Sequence, residues 1–455
     1  MFPAGSDPSR KLHFRNKEKN SMQLSKHNII GRLKDSDEYF IVNPLSRQAD
    51  ILTAEKAQEF SAQVFSDPAE MVEKGYLVDP EEERKRYNRE YLDFLDNRDA
   101  DEVQIFYVPT YFCNFSCTYC YQEGYEHTTE IEHTEVIDAF FAYIDREFAG
   151  RKKYVTVFGG EPLLPGSAPK ANIAYLIEQA TKRNLALAFV TNGHTLKQYI
   201  PILKKGFIRE IQVTLDGPQE IHDRRRMLKG GAGTFSQIVE GIDAALAEGM
   251  PINLRAVVDR SNMPYLGQLA EFAIAQGWTA NKLFKTQLGR NYELHVCQAD
   301  QQKLYDRVSM YEDIYHLVKR QPSFLEFHRP AFSISKFLFE NGELPNPLFD
   351  SCPGTKTEWA FDFSGRIFSC TATVGKEGEA LGTFYPQVTR KDEIIREWEQ
   401  RDVTTIEACA ACPMQLACGG GCAAVAKNAT GSVGSPDCRP VRDLLGMGLS
   451  LYFQT

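Results

Sequence analysis

The chain has 455 residues, of which 43% are hydrophobic and 25% charged, and a formal net charge of -9. That length exceeds what one hydrophobic core usually holds, so two or three domains are expected, and the composition is that of a globular protein. The acidic balance argues against a nucleic-acid partner, which needs a dense Lys and Arg surface, and no run of about eighteen apolar residues is present to cross a membrane.

Residues 1–23 are polar and irregular and are expected to be mobile. Lys11, Arg15, Lys17 and Lys19 occur there without an apolar stretch, so no secretory signal is read and a cytoplasmic location is expected. Residues 24–80 form a candidate small domain: 27–33, 39–42 and 49–52 have strand character, and 54–65 and 69–74 helix character. Residues 81–102, dense in charges of both signs, suggest a solvated helix or linker. From 103 to 320 strand and helix alternate. Strands are predicted at 103–108, 153–158, 185–190, 211–215, 252–258 and 282–285, with helices such as 136–148, 238–248 and 266–276 between them. Six such units imply a parallel sheet with right-handed crossovers, an α/β partial barrel.

Eleven cysteines in a chain with no export signal point to metal ligation before disulfides. Cys113, Cys117 and Cys120 follow the first predicted strand in C-x3-C-x2-C spacing. Three thiolates on one loop suit one face of a cubane iron-sulfur cluster and leave its fourth iron open, where the clusters of electron carriers are closed by four ligands. Each of the next strands ends in a polar or glycine-rich turn: Gly159-Gly160-Glu161-Pro162, Thr191-Asn192-Gly193 and Asp216-Gly217-Pro218. Glycines permit close backbone approach, and Glu161 offers a carboxylate to an ammonium group. Ligands of parallel α/β barrels sit at these C-terminal strand ends.

The cysteine triplet, with Tyr119 before its third member, and the Gly159–Pro162 segment resemble the radical S-adenosylmethionine (radical SAM) superfamily. The resemblance implies a 4Fe-4S cluster on Cys113, Cys117 and Cys120, and S-adenosyl-L-methionine held by Tyr119, Gly159, Gly160, Glu161, Thr191, Asn192, Thr214, Asp216 and Arg226. His222 is expected to be a turn or core histidine. The triplet Arg224-Arg225-Arg226 is read as a solvated turn with one arginine facing the site.

Seven cysteines lie from 352 onward: Cys352 and Cys370 in C-x12-G-x4-C, then Cys409, Cys412, Cys418 and Cys422 in C-x2-C-x5-C-x3-C, then Cys438. This order resembles the SPASM domain, expected over 321–455, which carries auxiliary 4Fe-4S clusters; a structural zinc ribbon is the competing reading. The resemblance implies an outer cluster on Cys409, Cys412, Cys418 and Cys438, and an inner one on Cys352, Cys370 and Cys422. The inner one is a cysteine short, because residues 353–360 contain none. Its fourth ligand is left open between a distant group, a non-cysteine side chain, water and a substrate thiolate. Cys297 stands outside these patterns and reads either as a small hydrophobe or as a catalytic hydrogen-atom donor.

The fold implied is a partial (β/α)6 radical SAM barrel with a C-terminal SPASM domain, and the small domain at 24–80 resembles the winged-helix element that recognises leader peptides. The function implied is radical modification of a peptide or protein, forming a crosslink or an oxidised residue, with a flavodoxin or ferredoxin as reductant. Sulfatase maturation, peptide epimerisation and a non-enzymatic iron-sulfur or zinc scaffold are the alternatives. In sulfatase maturases an aspartate follows the second SPASM cysteine; here Cys370 is followed by Thr371.

Overall fold

A computed structural model describes residues 22–122, 125, 134–291 and 301–454. Its organising element is a ten-stranded, mostly parallel sheet. Six strands, Val103–Val108, Lys153–Val157, Leu187–Thr191, Ile208–Thr214, Ile252–Val258 and Phe284–Arg290, lie side by side in chain order, each parallel to the next. The alternating side-chain period of a strand divides them between two environments. Val103, Ile105, Val155, Val157, Leu187, Phe189, Ile211 and Val213 face the helices in one buried core. Helix Thr134–Glu147 answers with Ile137, Phe140, Phe141 and Ile144, an i, i+3, i+4, i+7 stripe without exposure. The opposite face of the sheet lines a cavity.

The first and fifth predicted strands agree with the structure residue for residue, while the last begins at Phe284 and runs on to Arg290. Its side chains alternate between half-buried and exposed because it is the sheet edge, so no apolar run marks its true length. A seventh parallel strand, Glu358–Asp362, pairs with the far side of Val103–Val108, with Glu358 opposite Gln104. Three short antiparallel strands, Arg366–Phe368, Gly382–Thr383 and Thr389–Arg390, complete the sheet. The C-terminal cysteine region is thereby hydrogen-bonded into the barrel sheet.

Near the N-terminus, strands Ile29–Arg32, Tyr39–Asn43 and Gln48–Leu52 form an antiparallel sheet, followed by helices Ala54–Ala62 and Pro68–Glu73. Thr53 and Asp67 cap those helices through their side-chain oxygens. Both faces of this sheet are covered. Ile41 and Leu52 pack on Phe60, Met71 and Tyr76, whereas Ile29, Phe40 and Val42 pack on Val441, Leu445 and Leu449 of the terminal helix Val441–Phe453.

The charged segment expected to be solvated is a helix, Pro80–Ala100, with one face half-buried. Tyr87, Tyr91 and Phe94, at i, i+4 and i+7, surround the Phe349 ring at centroid distances of 5.1, 5.2 and 5.6 Å. Tyr87 and Tyr91 donate to Gln415 at 3.0 Å and Asp402 at 2.7 Å. The density of charges obscured this aromatic stripe, which clamps the helix to the cysteine-rich region.

His27 is wholly buried and stacked on Tyr87 at 5.5 Å, and neither ring nitrogen has a partner among the described residues. Burial, and then Lys26, lower its pKa from 6.5 to about 3, so the ring is neutral. A histidine depressed on folding contributes stability that is complete above pH 6.5 and lost as pH falls toward 3. His27→Phe keeps the stacked ring and removes the titration. The variant is expected to show a shallower fall of the thermal midpoint between about pH 7 and pH 5 than the parent; parallel curves would refute this.

Candidate active site

The cysteine loop leaves the first barrel strand and is held from two sides. Strand Phe115–Cys117 pairs antiparallel with Arg226–Leu228, placing Cys117 opposite Arg226, and the Thr118 N–H donates to the Arg225 carbonyl at 3.0 Å. From the other side, the Gly160 N–H donates to the Thr110 carbonyl at 3.0 Å and the Glu161 N–H to the Phe112 carbonyl at 2.9 Å. A Cβ on Gly160 would lie 2.2 Å from the Phe112 oxygen and 2.4 Å from that of Tyr111. The close approach inferred for these glycines is thus made first to the cysteine loop.

Cys113, Cys117 and Cys120 line one cavity of about 920 Å³, together with Tyr119, Gly159, Gly160, Thr191, Asn192, Thr214 and Arg226. The other two residues predicted to hold the cofactor, Glu161 and Asp216, have no exposed surface. Both Glu161 oxygens are engaged: one accepts from Thr191 Oγ1 at 2.6 Å and the Leu163 N–H at 2.8 Å, the other from the Asn192 N–H at 2.6 Å. Burial raises its pKa from 4.5 to about 7 against these bonds. Its carboxylate ties the second strand end to the third. Asn192, which Glu161 positions, donates to Asn114 Oδ1 at 2.8 Å and stands 3.8 Å from the Cys113 sulfur.

Asp216 also acts through its neighbours. Its carboxylate accepts from Tyr119 Oη at 2.6 Å, Arg225 Nε at 3.1 Å and the Val257 N–H at 2.9 Å. Arg226 donates to Tyr119 Oη at 2.7 Å, so this hydroxyl joins carboxylate and guanidinium. Arg225 reaches past Asp216 to both oxygens of Asp259 at 2.8 Å, and its guanidinium lies over the Tyr119 ring at 4.9 Å. Arg224 alone of the triplet is solvated, paired with Glu220. Asp259 and Arg225 escaped the sequence reading. The signal was present in Asp259-Arg260-Ser261-Asn262, a further polar turn at a strand end, like those at Thr191 and Asp216.

His222 is buried and closed off: Nδ1 accepts from the Asp216 N–H at 3.2 Å, and Nε2 is 3.1 Å from Thr234 Oγ1, which donates to the Arg226 carbonyl at 2.7 Å. Burial, then Arg226, lower its pKa to about 4. It is a neutral core histidine, as expected.

The thiols are suited to a soft, electron-poor ligand. Burial, followed by Glu161, pushes the Cys113 pKa up to about 12. Burial pushes Cys117 up to about 11 while Arg226 opposes it. A bound metal ion would replace the proton on each, and Arg226 offsets the negative charge that thiolates accumulate. Its Nε is buried without a partner among the described residues. Among those residues no group of three or more His, Cys, Asp or Glu is arranged to hold one metal ion. Such an ion needs sulfurs about 3.8 Å apart at a tetrahedral zinc site, whereas a cubane takes each thiolate on a different iron. Three half-buried cysteines lining one cavity beside a cation are compatible with the second demand.

In the C-terminal region the Cys409 thiol is raised by burial and then by Cys418, Cys412 and Cys438, so these four form one electrostatic group. Cys352 and Cys370 are buried in a cluster with Trp398, Ala423 and Val433, and Cys422 packs against it. Arg401, almost unexposed, fixes the chain between the two groups by donating to the carbonyls of Gly420, Gly421, Val433 and Ser435 at 2.6 to 3.1 Å. Gly419, Gly420 and Gly421 all take positive φ, at 61, 73 and 74°. Thr371 and Ala372, directly after Cys370, line the cavity that holds the first three cysteines. Cys297 lies outside the described residues.

Residues 107–273 match the family described as the Radical SAM superfamily. Over 309 residues, 66% of this chain and 91% of the relative, the chain is 27% identical to a probable GTP 3',8-cyclase of Sulfolobus acidocaldarius. Over 329 residues, 69% of this chain and 76% of the relative, it is 26% identical to a mycofactocin maturase of Mycolicibacterium smegmatis. The solved structure of native anSMEcpe with bound AdoMet and Cp18Cys peptide aligns with a TM-score of 0.61 at 18% identity, covering 78% of this chain and 99% of that one, a likeness of fold. That family implies a 4Fe-4S cluster and S-adenosylmethionine. The thiol triplet at the mouth of the parallel α/β sheet thus lies inside the segment, residues 107–273, that matches the Radical SAM superfamily.

Proposed function

We propose that this enzyme is a maturase that modifies a peptide or protein by radical chemistry, and that it carries three cluster sites. Cys113, Cys117 and Cys120 would hold the first. Cys409, Cys412, Cys418 and Cys438 would hold an outer auxiliary cluster, and Cys352, Cys370 and Cys422 an inner one. The observation that carries this reading is the shared cavity, lined both by the cysteine triplet and by Thr371 and Ala372 next to Cys370. A substrate there would touch the radical site and the inner auxiliary site together. The mycofactocin maturase likeness supports a peptide substrate.

When bound, a 4Fe-4S cluster with S-adenosylmethionine supplies a 5'-deoxyadenosyl radical able to take hydrogen from an unactivated carbon. The chain's own residues hold and shield that chemistry. Tyr119, Arg226 and Asp216 fix the loop at Cys117 and Cys120, while Glu161 orients Asn192 beside Cys113. Thr191, Asn192 and Thr214, which line the cavity at the strand ends, would present polar groups to the cofactor. Cys438 is exposed and Cys370 buried, so an external reductant such as a flavodoxin or ferredoxin would meet the outer site first. A leader peptide would add to an edge of the N-terminal sheet, at Ile29–Arg32 or Gln48–Leu52. No helix among the described residues is long and apolar enough to cross a membrane, which is compatible with a cytoplasmic enzyme.

Nucleotide cyclisation is the second reading, favoured by the GTP 3',8-cyclase likeness and by Arg209, Arg255 and Lys285 in the cavity lining. Anaerobic reconstitution is expected to load about twelve irons per chain, and dithionite should then yield 5'-deoxyadenosine from S-adenosylmethionine. The triple variant Cys113→Ala, Cys117→Ala, Cys120→Ala should keep about eight irons and form no 5'-deoxyadenosine. Zinc in place of iron, or an intact sulfonium, would overturn the proposal. A new product from GTP alone would replace the peptide by a nucleotide.

A further inference from the structure

The inner cysteine set is one ligand short, and a carboxylate lies beside it. We propose that Glu358 supplies the fourth ligand of the site built from Cys352, Cys370 and Cys422; this rests on the auxiliary-cluster reading above. The backbone brings Glu358 back to Cys352. The Pro353 carbonyl accepts from the N–H groups of Lys356, Thr357 and Glu358 at 3.0, 2.9 and 2.9 Å, and the Thr355 N–H donates to the Glu358 carbonyl at 2.9 Å. This tight loop starts the strand Glu358–Asp362 six positions after Cys352. The side chain then turns to the second cysteine, with Oε1 accepting from the Thr371 N–H at 3.0 Å. Thr371 directly follows Cys370 in the chain, so this bond brings the carboxylate to the backbone beside the second cysteine.

Other acidic groups nearby are already committed. Asp350 is paired with Lys356 and, at 3.8 Å, with Arg401, and it accepts the Cys352 N–H at 2.9 Å. Asp437 is held by Arg307 at 3.0 and 2.7 Å and by the Cys422 N–H at 3.1 Å. Glu358 has no ion-pair partner among the described residues; its carboxylate is held by Thr371, through that residue's backbone and side chain. A hard oxygen on one iron among thiolate-bound irons makes that iron distinct in spectroscopy and raises the cluster potential relative to an all-thiolate set.

The test uses the full chain carrying Cys113→Ala, Cys117→Ala and Cys120→Ala, reconstituted with iron-57 and studied by Mössbauer and EPR spectroscopy. About one iron in eight should form a distinct subsite. Adding Glu358→Cys should merge it with the thiolate-bound irons and lower the reduction potential. Glu358→Gln should change the subsite or lose about four irons that Glu358→Cys retains. Unchanged spectra in both variants at full iron content would overturn the assignment, as would equal iron loss in both. A triple variant that binds no iron would instead defeat the auxiliary-cluster reading, and the ligand with it.

Discussion

Asp216→Ala is expected to lower the unfolding free energy by about 3–5 kcal/mol, the range for breaking a buried charge pair by removing one partner. The Asp216 side chain is unexposed, and its loss strips an acceptor from Tyr119, Arg225 and the Val257 N–H together. Arg225 keeps Asp259, but Tyr119 is left donating to nothing while still accepting from Arg226. Asp216→Asn preserves volume and an oxygen for Val257, so a smaller loss is expected. Arg224→Ala is the matched control. Its pair with Glu220 is exposed, with side chains at 68 and 75%, and the change should stay under about 0.5 kcal/mol. Urea unfolding of the iron-free chain, followed by circular dichroism, measures all three. An Asp216→Ala midpoint equal to that of Arg224→Ala would refute the account.

Gly160→Ala is expected to destroy the first cluster site while sparing the C-terminal cysteines. The new methyl would meet two backbone oxygens, those of Phe112 and Tyr111, at 2.2 and 2.4 Å, and no side-chain rotation relieves such a clash. Residues 110–113 must move, and the bonds from Gly160 and Glu161 to Thr110 and Phe112 break with them. About four of about twelve irons should be lost, and 5'-deoxyadenosine formation should fall to background. Gly230→Ala, with nothing within 4 Å of the added Cβ, should leave both unchanged. Full iron and normal cleavage in Gly160→Ala would show that the loop tolerates displacement and that the glycine has another use.

The chain is similar both to a GTP 3',8-cyclase and to a mycofactocin maturase, which leaves the substrate to experiment. The cavity itself frames the choice. Its polar floor, with Gln212 donating to Gln287 at 2.7 Å and Asn253 to Glu210 at 2.8 Å, is built for a hydrogen-bonding substrate in either case. What separates the two is the neighbourhood of Thr371, where a peptide side chain would meet the inner cysteine site.

Much of this was legible in local spacing. The C-x3-C-x2-C triplet, the polar turns after successive strands and the β/α alternation are short-range patterns, set by the reach of a loop and by the helix and strand periods, so the amino-acid order alone determined the number and order of the barrel strands and which cysteines come first. Spacing does not say which of two adjacent residues faces a site, and here only the tertiary structure decided. Arg225 ends a helix and turns to Asp216 and Asp259, while Arg226 opens a strand opposite Cys117 and turns to Tyr119. Glu161 became an internal strut because Thr191 and Asn192 approach it from another strand, and Glu358 met Thr371 because its strand joined the barrel sheet. Such contacts join residues far apart in the chain. Their partners are selected by the packing of whole elements, which no local run of residues encodes.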